Sequence, residues 1–122
     1  MNVFQVLDVL PKNGIIVREE GDIIRVFFDI EKMAAETSKD GEVIVPDGMC
    51  TMENVDVFGT RTYGGITDAI VCDHYPADKM QAIINNHLLE SESKEHQAEF
   101  AEMQAWRVKA KRVAKEVVSM IV

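Results

Sequence analysis

The sequence predicts an α+β protein: an N-terminal antiparallel β-sheet packed by two C-terminal α-helices. Three observations carry that prediction. Up to position 58 the apolar residues fall in short β-branched and aromatic runs separated by glycine turns. From Pro76 onward they recur every three or four positions, the period of a helix with one buried face. Strands come first and helices last, with no βαβ alternation. A chain of 122 residues fits a single domain, mainly β over 1–75 and helical over 76–122.

Val3, Val6, Leu7, Val9 and Leu10 form a first strand that Pro11 ends. Asn13-Gly14 is a hairpin signal, since both residues tolerate positive φ, and Ile15–Val17 continues as a strand. Glu20-Gly21-Asp22 turns the chain into a run at 23–30, completing a three-stranded antiparallel meander. The helix formers at 32–36 suggest one helical turn. A short strand at 42–45 ends at Pro46, Pro46-Asp47-Gly48 turns, and 49–58 alternates as a strand. Ile66 to Cys72 reads as a last strand because it is rich in β-branched residues.

Pro76 and Asp78 suit the first turn of a helix that continues through Met80, Ile83, Ile84, His87 and Leu88. Ser91-Glu92-Ser93 breaks it, and Ser93 is the expected N-cap of a second helix over 94–119. On that helix Phe100, Met103, Arg107, Ala110, Ala114, Val117 and Ile121 share one stripe, with Trp106, Val113 and Met120 on its flank. So wide an apolar face in so small a chain points to burial against a second copy, hence to a homo-oligomer.

The formal charge is −8 and unevenly spread. Up to Glu92 there are seven basic and seventeen acidic residues; from Ser93 onward there are six and four. An acidic body argues against general nucleic-acid binding, which needs a broad basic surface. The basic run from Arg107 to Lys115 complements a helix C-terminus, as Glu95, Glu99 and Glu102 complement the other end. Cys50 and Cys72 sit in no metal-ligand spacing and are expected to be free thiols of a reducing compartment. Positions 1–10 carry Asp8 and no basic leader, so no signal peptide is expected, and no apolar run reaches membrane-spanning length. The expectation is a cytoplasmic protein with no membrane partner.

Few residues suggest chemistry. There is no phosphate-cradling glycine loop followed by Lys-Ser or Lys-Thr, no nucleophile elbow and no His-Glu-x-x-His. No catalytic set, metal site or cofactor is therefore expected. His87 with Glu90, and His96 with Glu99, lie one helical turn apart, a spacing more often found on plain surface than around a metal. Residues 59–65 are richer: three glycines, including Gly64, let the backbone approach a ligand, while Arg61 offers a fork of donors and Tyr63 a stacking face. The plain alternative is a hairpin loop with a solvated Arg61. Asp73-His74-Tyr75-Pro76 brings Tyr75 beside a helix N-terminus, where backbone donors favour anions, unless Tyr75 only covers the core. Asn85 or Asn86 would read a base or ribose edge, or simply face solvent. Arg107, a permanent cation in an apolar stripe, needs an anion, an acidic residue across a helix contact, or a stem long enough to carry its head to water.

The order of β-rich half and C-terminal helices, with Arg61 in the strand-rich part and Arg107 in the last helix, resembles small phage-encoded sponge proteins that defeat the Thoeris defence. The resemblance implies an oligomer that sequesters a cyclic ADP-ribose signal without cleaving it, its phosphates held by Arg61 and Arg107 at a subunit interface. It further implies that Tyr63 or Tyr75 stacks on the base and that Asn85 or Asn86 reads it. It covers architecture only, with no contiguous motif matched. The leading expectation is thus non-catalytic binding of an anionic nucleotide-type molecule in a bacterial host. The alternative is an acidic protein–protein interaction module, either a virion component or an inhibitor of a host protein, and a small hydrolase or lyase ranks third.

Overall fold

The computed structural model describes residues 1–121. It is α+β, with strands β1 (Asn2–Val6), β2 (Ile16–Glu20), β3 (Ile23–Lys32), β4 (Glu36–Thr37), β5 (Val43–Val45) and β6 (Met49–Phe58), then helices α1 (Tyr63–His74), α2 (Ala77–Leu89) and α3 (Lys94–Met120). The chain divides into two compact units, Met1–Gly59 and Thr60–Val122.

The first unit is built on a four-stranded antiparallel sheet in the order β1-β6-β3-β2, with β4 and β5 forming a separate small ribbon. Two expectations need correcting here. Asn13-Gly14 does not close a hairpin: β1 and β2 lie on opposite edges of the sheet, and β1 pairs with β6 from Asn2 opposite Glu53 to Val6 opposite Met49. The local turn is nevertheless real, with Gly14 at φ 72° and its N–H donating to the Pro11 carbonyl at 3.2 Å. The meander is therefore β2-β3-β6. The second correction concerns residues 32–36, which form no helical turn. β3 runs on to Lys32 and Glu36–Thr37 pairs with β5, so tertiary pairing overrides helix propensity.

Within β3 the register slips after Phe28, where Asp29 takes φ 52° and a bulge reaims the strand. Ile24, Val26, Phe28, Val55 and Val57 are buried. On the alternate positions Phe27, Cys50 and Met52 form a small cluster with Val3, Leu7, Ile16 and Ile30 packed against it. Gly48 at φ 83° ends the turn before β6, and its carbonyl accepts from the Leu7 N–H at 2.9 Å, anchoring the end of β1.

The second unit holds three helices, one more than expected, because residues 66–72 are helical and not a strand. The signals were present but mixed. The Thr62 hydroxyl accepts from the Gly65 N–H at 3.1 Å as an N-cap, and the buried residues Ile66, Thr67, Ile70 and Val71 keep helical spacing. The isoleucines and valine that favour strands are accommodated on one buried helix face. α1 packs along α3, as does α2. α2 and α3 are distinct helices, and Ser93 caps α3 by accepting from the His96 N–H at 3.4 Å.

Trp106, not Arg107, sits in the core stripe of α3. Its buried neighbours on that helix are Met103, Ala110, Val113, Ala114 and Val117, and its indole N–H donates to the Ile70 carbonyl of α1 at 2.9 Å. Successive helical residues are about 100° apart, so a stripe shifted to take in Trp106 and Val113 moves Arg107 to its margin. Both cysteines are free, Cys50 buried and Cys72 exposed. Among the described residues no helix is long and apolar enough to cross a membrane.

Candidate functional site

The second unit carries a cleft of about 420 Å³ lined by Tyr75, Lys79, Ala82, Ile83, Asn86, Glu99 and Glu102. Its construction follows from helical spacing. Lys79, Ala82, Ile83 and Asn86 lie three or four residues apart on α2 and share one face; Glu99 and Glu102 do the same on α3. Tyr75 stands at the end of α1, where its main-chain N–H donates to the Val71 carbonyl at 2.9 Å and stops the helix. Ile83 is the one buried residue of the lining; the others are polar, charged or, like Ala82, exposed.

Lys79 Nζ lies 5.0 Å from the centroid of the Tyr75 ring and 3.4 Å from the His74 carbonyl it donates to. The ammonium thus touches the π face of the tyrosine and is steadied by a backbone acceptor. Burial, reinforced by the nearby Glu102 carboxylate, pushes the Tyr75 phenol above its ordinary pKa of 10.0. At neutral pH it is a hydrogen-bond donor and has no role as a base.

Next to the cleft, His74 stacks on Trp106 with centroids 3.7 Å apart, tying the end of α1 to the core of α3. Farther along, the His87 ring stacks on Phe100 at 3.8 Å, and His96 Nε2 lies 3.1 Å from a Glu90 oxygen. These contacts stitch α2 to α3 around the break at 90–93. They also replace the metal spacing read in the sequence: His96 partners Glu90, not Glu99, and His87 is committed to an aromatic stack.

The residues singled out in the sequence do not converge. Arg61, Tyr63 and Gly64 lie at the start of α1, all exposed, whereas Tyr75 lies beyond its end. Twelve helical residues at about 1.5 Å each separate the two groups by roughly 18 Å. Residues 59–65 are not a hairpin loop either, since Tyr63, Gly64 and Gly65 form the first turn of α1. Asn85 is exposed and points off the cleft, while its neighbour Asn86 lines it. Arg107 is half-buried, its one hydrogen bond runs to Gln104 Oε1 at 3.5 Å, and no carboxylate of the described residues pairs with it. Of the expected residues, Tyr75 and Asn86, the second of the two asparagines considered, line the cleft; Arg61, Tyr63, Gly64, Asn85 and Arg107 do not. Lys79 is not among the expected site residues, and Glu99 and Glu102 are expected only as helix-dipole partners; the available signal was the 79, 82, 83, 86 spacing, which sets Lys79 and Asn86 two turns apart on one face of α2.

No protein-family model, no curated protein and no solved structure matches the chain.

Proposed function

We propose that the protein binds a nucleotide-type small molecule without transforming it, and that the binding site is the cleft between α2 and α3. One observation carries this reading: an aromatic face, an amide, an ammonium and two carboxylates line a single cavity of about 420 Å³, large enough for a small ligand. Tyr75 offers a stacking surface, Asn86 a paired donor and acceptor for a base edge, and Glu99 and Glu102 accept from ribose hydroxyls.

Charge narrows the ligand. Two carboxylates against one ammonium disfavour a polyanion, so the cleft suits a nucleoside or a monophosphate whose single phosphate meets Lys79. This departs from a phosphate site made by Arg61 and Arg107. The phenol is held neutral and the lining contains no nucleophile poised beside a base, which favours retention over catalysis. The biological role attached to this reading is sequestration of a small nucleoside or mononucleotide signal, a ligand with less charge than the cyclic ADP-ribose that the resemblance to Thoeris sponges implies.

The test is native mass spectrometry of the purified protein, followed by a thermal-shift series with adenosine, AMP and ADP-ribose. The expected outcome is a retained or added mass released unaltered on heating, lost in Tyr75→Ala and weakened in Lys79→Ala. No retained mass, and no shift with any of the three at millimolar concentration, would refute the proposal.

A second reading has its own support. Leu88 and Leu89 at the end of α2 are 70% and 83% exposed, and Val108 on α3 is 67% exposed. Large apolar side chains in water favour an interaction module. A protein partner pulled down without any small molecule would move the balance to it.

A further inference from the structure

We propose that β1 is a self-complementary edge through which two copies of this chain pair, extending the sheet across a two-fold axis. Hydrogen-bond parity decides which backbone groups of β1 face outward. The Asn54 N–H donates to the Met1 carbonyl at 2.8 Å, and the Leu7 N–H to the Gly48 carbonyl at 2.9 Å. Met1 and Leu7 are therefore hydrogen-bonded partners of β6, and so by alternation are Val3 and Gln5. Asn2, Phe4 and Val6 must then aim their N–H and C=O groups the other way. That side is the open edge of the sheet, for β1 is terminal in the order β1-β6-β3-β2.

The side chains on this edge are unprotected. Phe4 is 59% and Val6 52% exposed, and Val9 and Leu10 just beyond are 82% and 50% exposed. Edges are normally guarded by charge. The opposite edge is: β2 carries Glu19 and Glu20, the latter paired to Arg25 at 3.2 Å, while Arg18 turns inward over Phe27 and donates to the Gln5 side chain at 3.5 Å, on the face of β1 away from Phe4. β1, Asn-Val-Phe-Gln-Val, carries none.

That contrast selects the occupant. The chain has a formal charge of −8 and repels its own copy over most of its surface, least where a segment is uncharged. Antiparallel pairing of β1 with itself has one register that uses every outward group: Phe4 opposite Phe4 of the second copy, and Asn2 opposite Val6 on each side. It closes about six backbone hydrogen bonds, sets two phenylalanines side by side on one face, and places no like charges opposite one another. The contact is isologous, so it closes as a dimer and does not propagate.

The experiment is sedimentation equilibrium of the full chain with site-directed crosslinking. The wild type is expected at twice the 13.7 kDa chain mass, and Phe4→Lys at the chain mass with unchanged far-ultraviolet circular dichroism. Glu19→Lys on the opposite edge remains a dimer. In a Cys72→Ser background, since Cys72 is exposed, Phe4→Cys is joined by a short bismaleimide. Asn2→Cys is not, because its two copies lie about 14 Å apart along the strands at roughly 3.4 Å per residue. A wild type monomeric throughout the micromolar range overturns the proposal and leaves the edge to a strand from another protein. A dimeric Phe4→Lys, or Asn2→Cys crosslinking as readily as Phe4→Cys, overturns the interface or its register.

Discussion

Replacing Trp106 by Phe tests whether this residue, and not the arginine beside it, organises the helical unit. Trp106 is 8% exposed, its indole N–H donates to the Ile70 carbonyl at 2.9 Å, and its ring stacks on His74 at 3.7 Å. Phenylalanine removes the donor, which costs about 1 kcal/mol for a buried neutral hydrogen bond. It also removes one ring of a buried side chain, on the order of 1 kcal/mol in lost transfer energy, with a similar amount if the space fails to collapse. The expected loss is about 2–3 kcal/mol. At a urea slope of about 2 kcal/mol/M that moves the unfolding midpoint down by roughly 1–1.5 M. Circular dichroism at the helical band reads it, since the substitution deletes the sole tryptophan and with it the fluorescence probe. The companion variant is Arg107→Met. A half-buried side chain with one 3.5 Å bond to a neighbouring glutamine should change stability by no more than about 0.5 kcal/mol. A small effect from Trp106→Phe together with a collapse in Arg107→Met would refute this assignment of the core stripe.

Three further outcomes are expected. Ser93→Ala removes the hydroxyl that accepts from the His96 N–H at the start of α3 and should cost about 1 kcal/mol by denaturant titration, with Ser93→Asp neutral by comparison. Gly48→Ala should cost at least about 2 kcal/mol: the residue has φ 83°, and a Cβ there would meet the Leu7 carbonyl oxygen at 2.9 Å. Tyr75 gives a pH dependence whose sign is fixed by its environment. Burial and then Glu102 favour the neutral phenol in the folded state, so that stabilisation is complete below the ordinary pKa of 10.0 and is lost as pH rises through the raised folded value. Absorbance at 295 nm should show Tyr75 titrating lower in Glu102→Gln, and Tyr75→Phe should lose less stability than wild type above pH 10.

The sequence was most legible where local signals agreed with one another. β3 and β6 combine β-branched runs with flanking glycine turns, and α3 combines a serine cap with a long apolar period; each was found at nearly its observed limits. It misled where local chemistry had two outcomes. Ile66 to Cys72 has strand-like residues on a helical spacing, and a threonine cap settles the choice. Asn13-Gly14 makes its turn, but the strands it joins find other partners. For the candidate site, Tyr75 was visible as an aromatic at a junction, whereas Lys79, Glu99 and Glu102 look like any solvated helix face until α2 and α3 are set beside each other.

By itself, then, the amino-acid order determined what depends on near neighbours: the α+β class, most strand and helix limits, the acidic charge and the unguarded composition of β1. Tertiary structure alone decided which strands became edges, that the core stripe takes in Trp106 and leaves Arg107 at its margin, and that Arg61 and Tyr75 lie at opposite ends of one helix. The reason is physical. Periodicity and capping are fixed by residues within a few positions of one another, while pairing, burial and convergence depend on groups far apart in the chain, whose meeting no local pattern encodes.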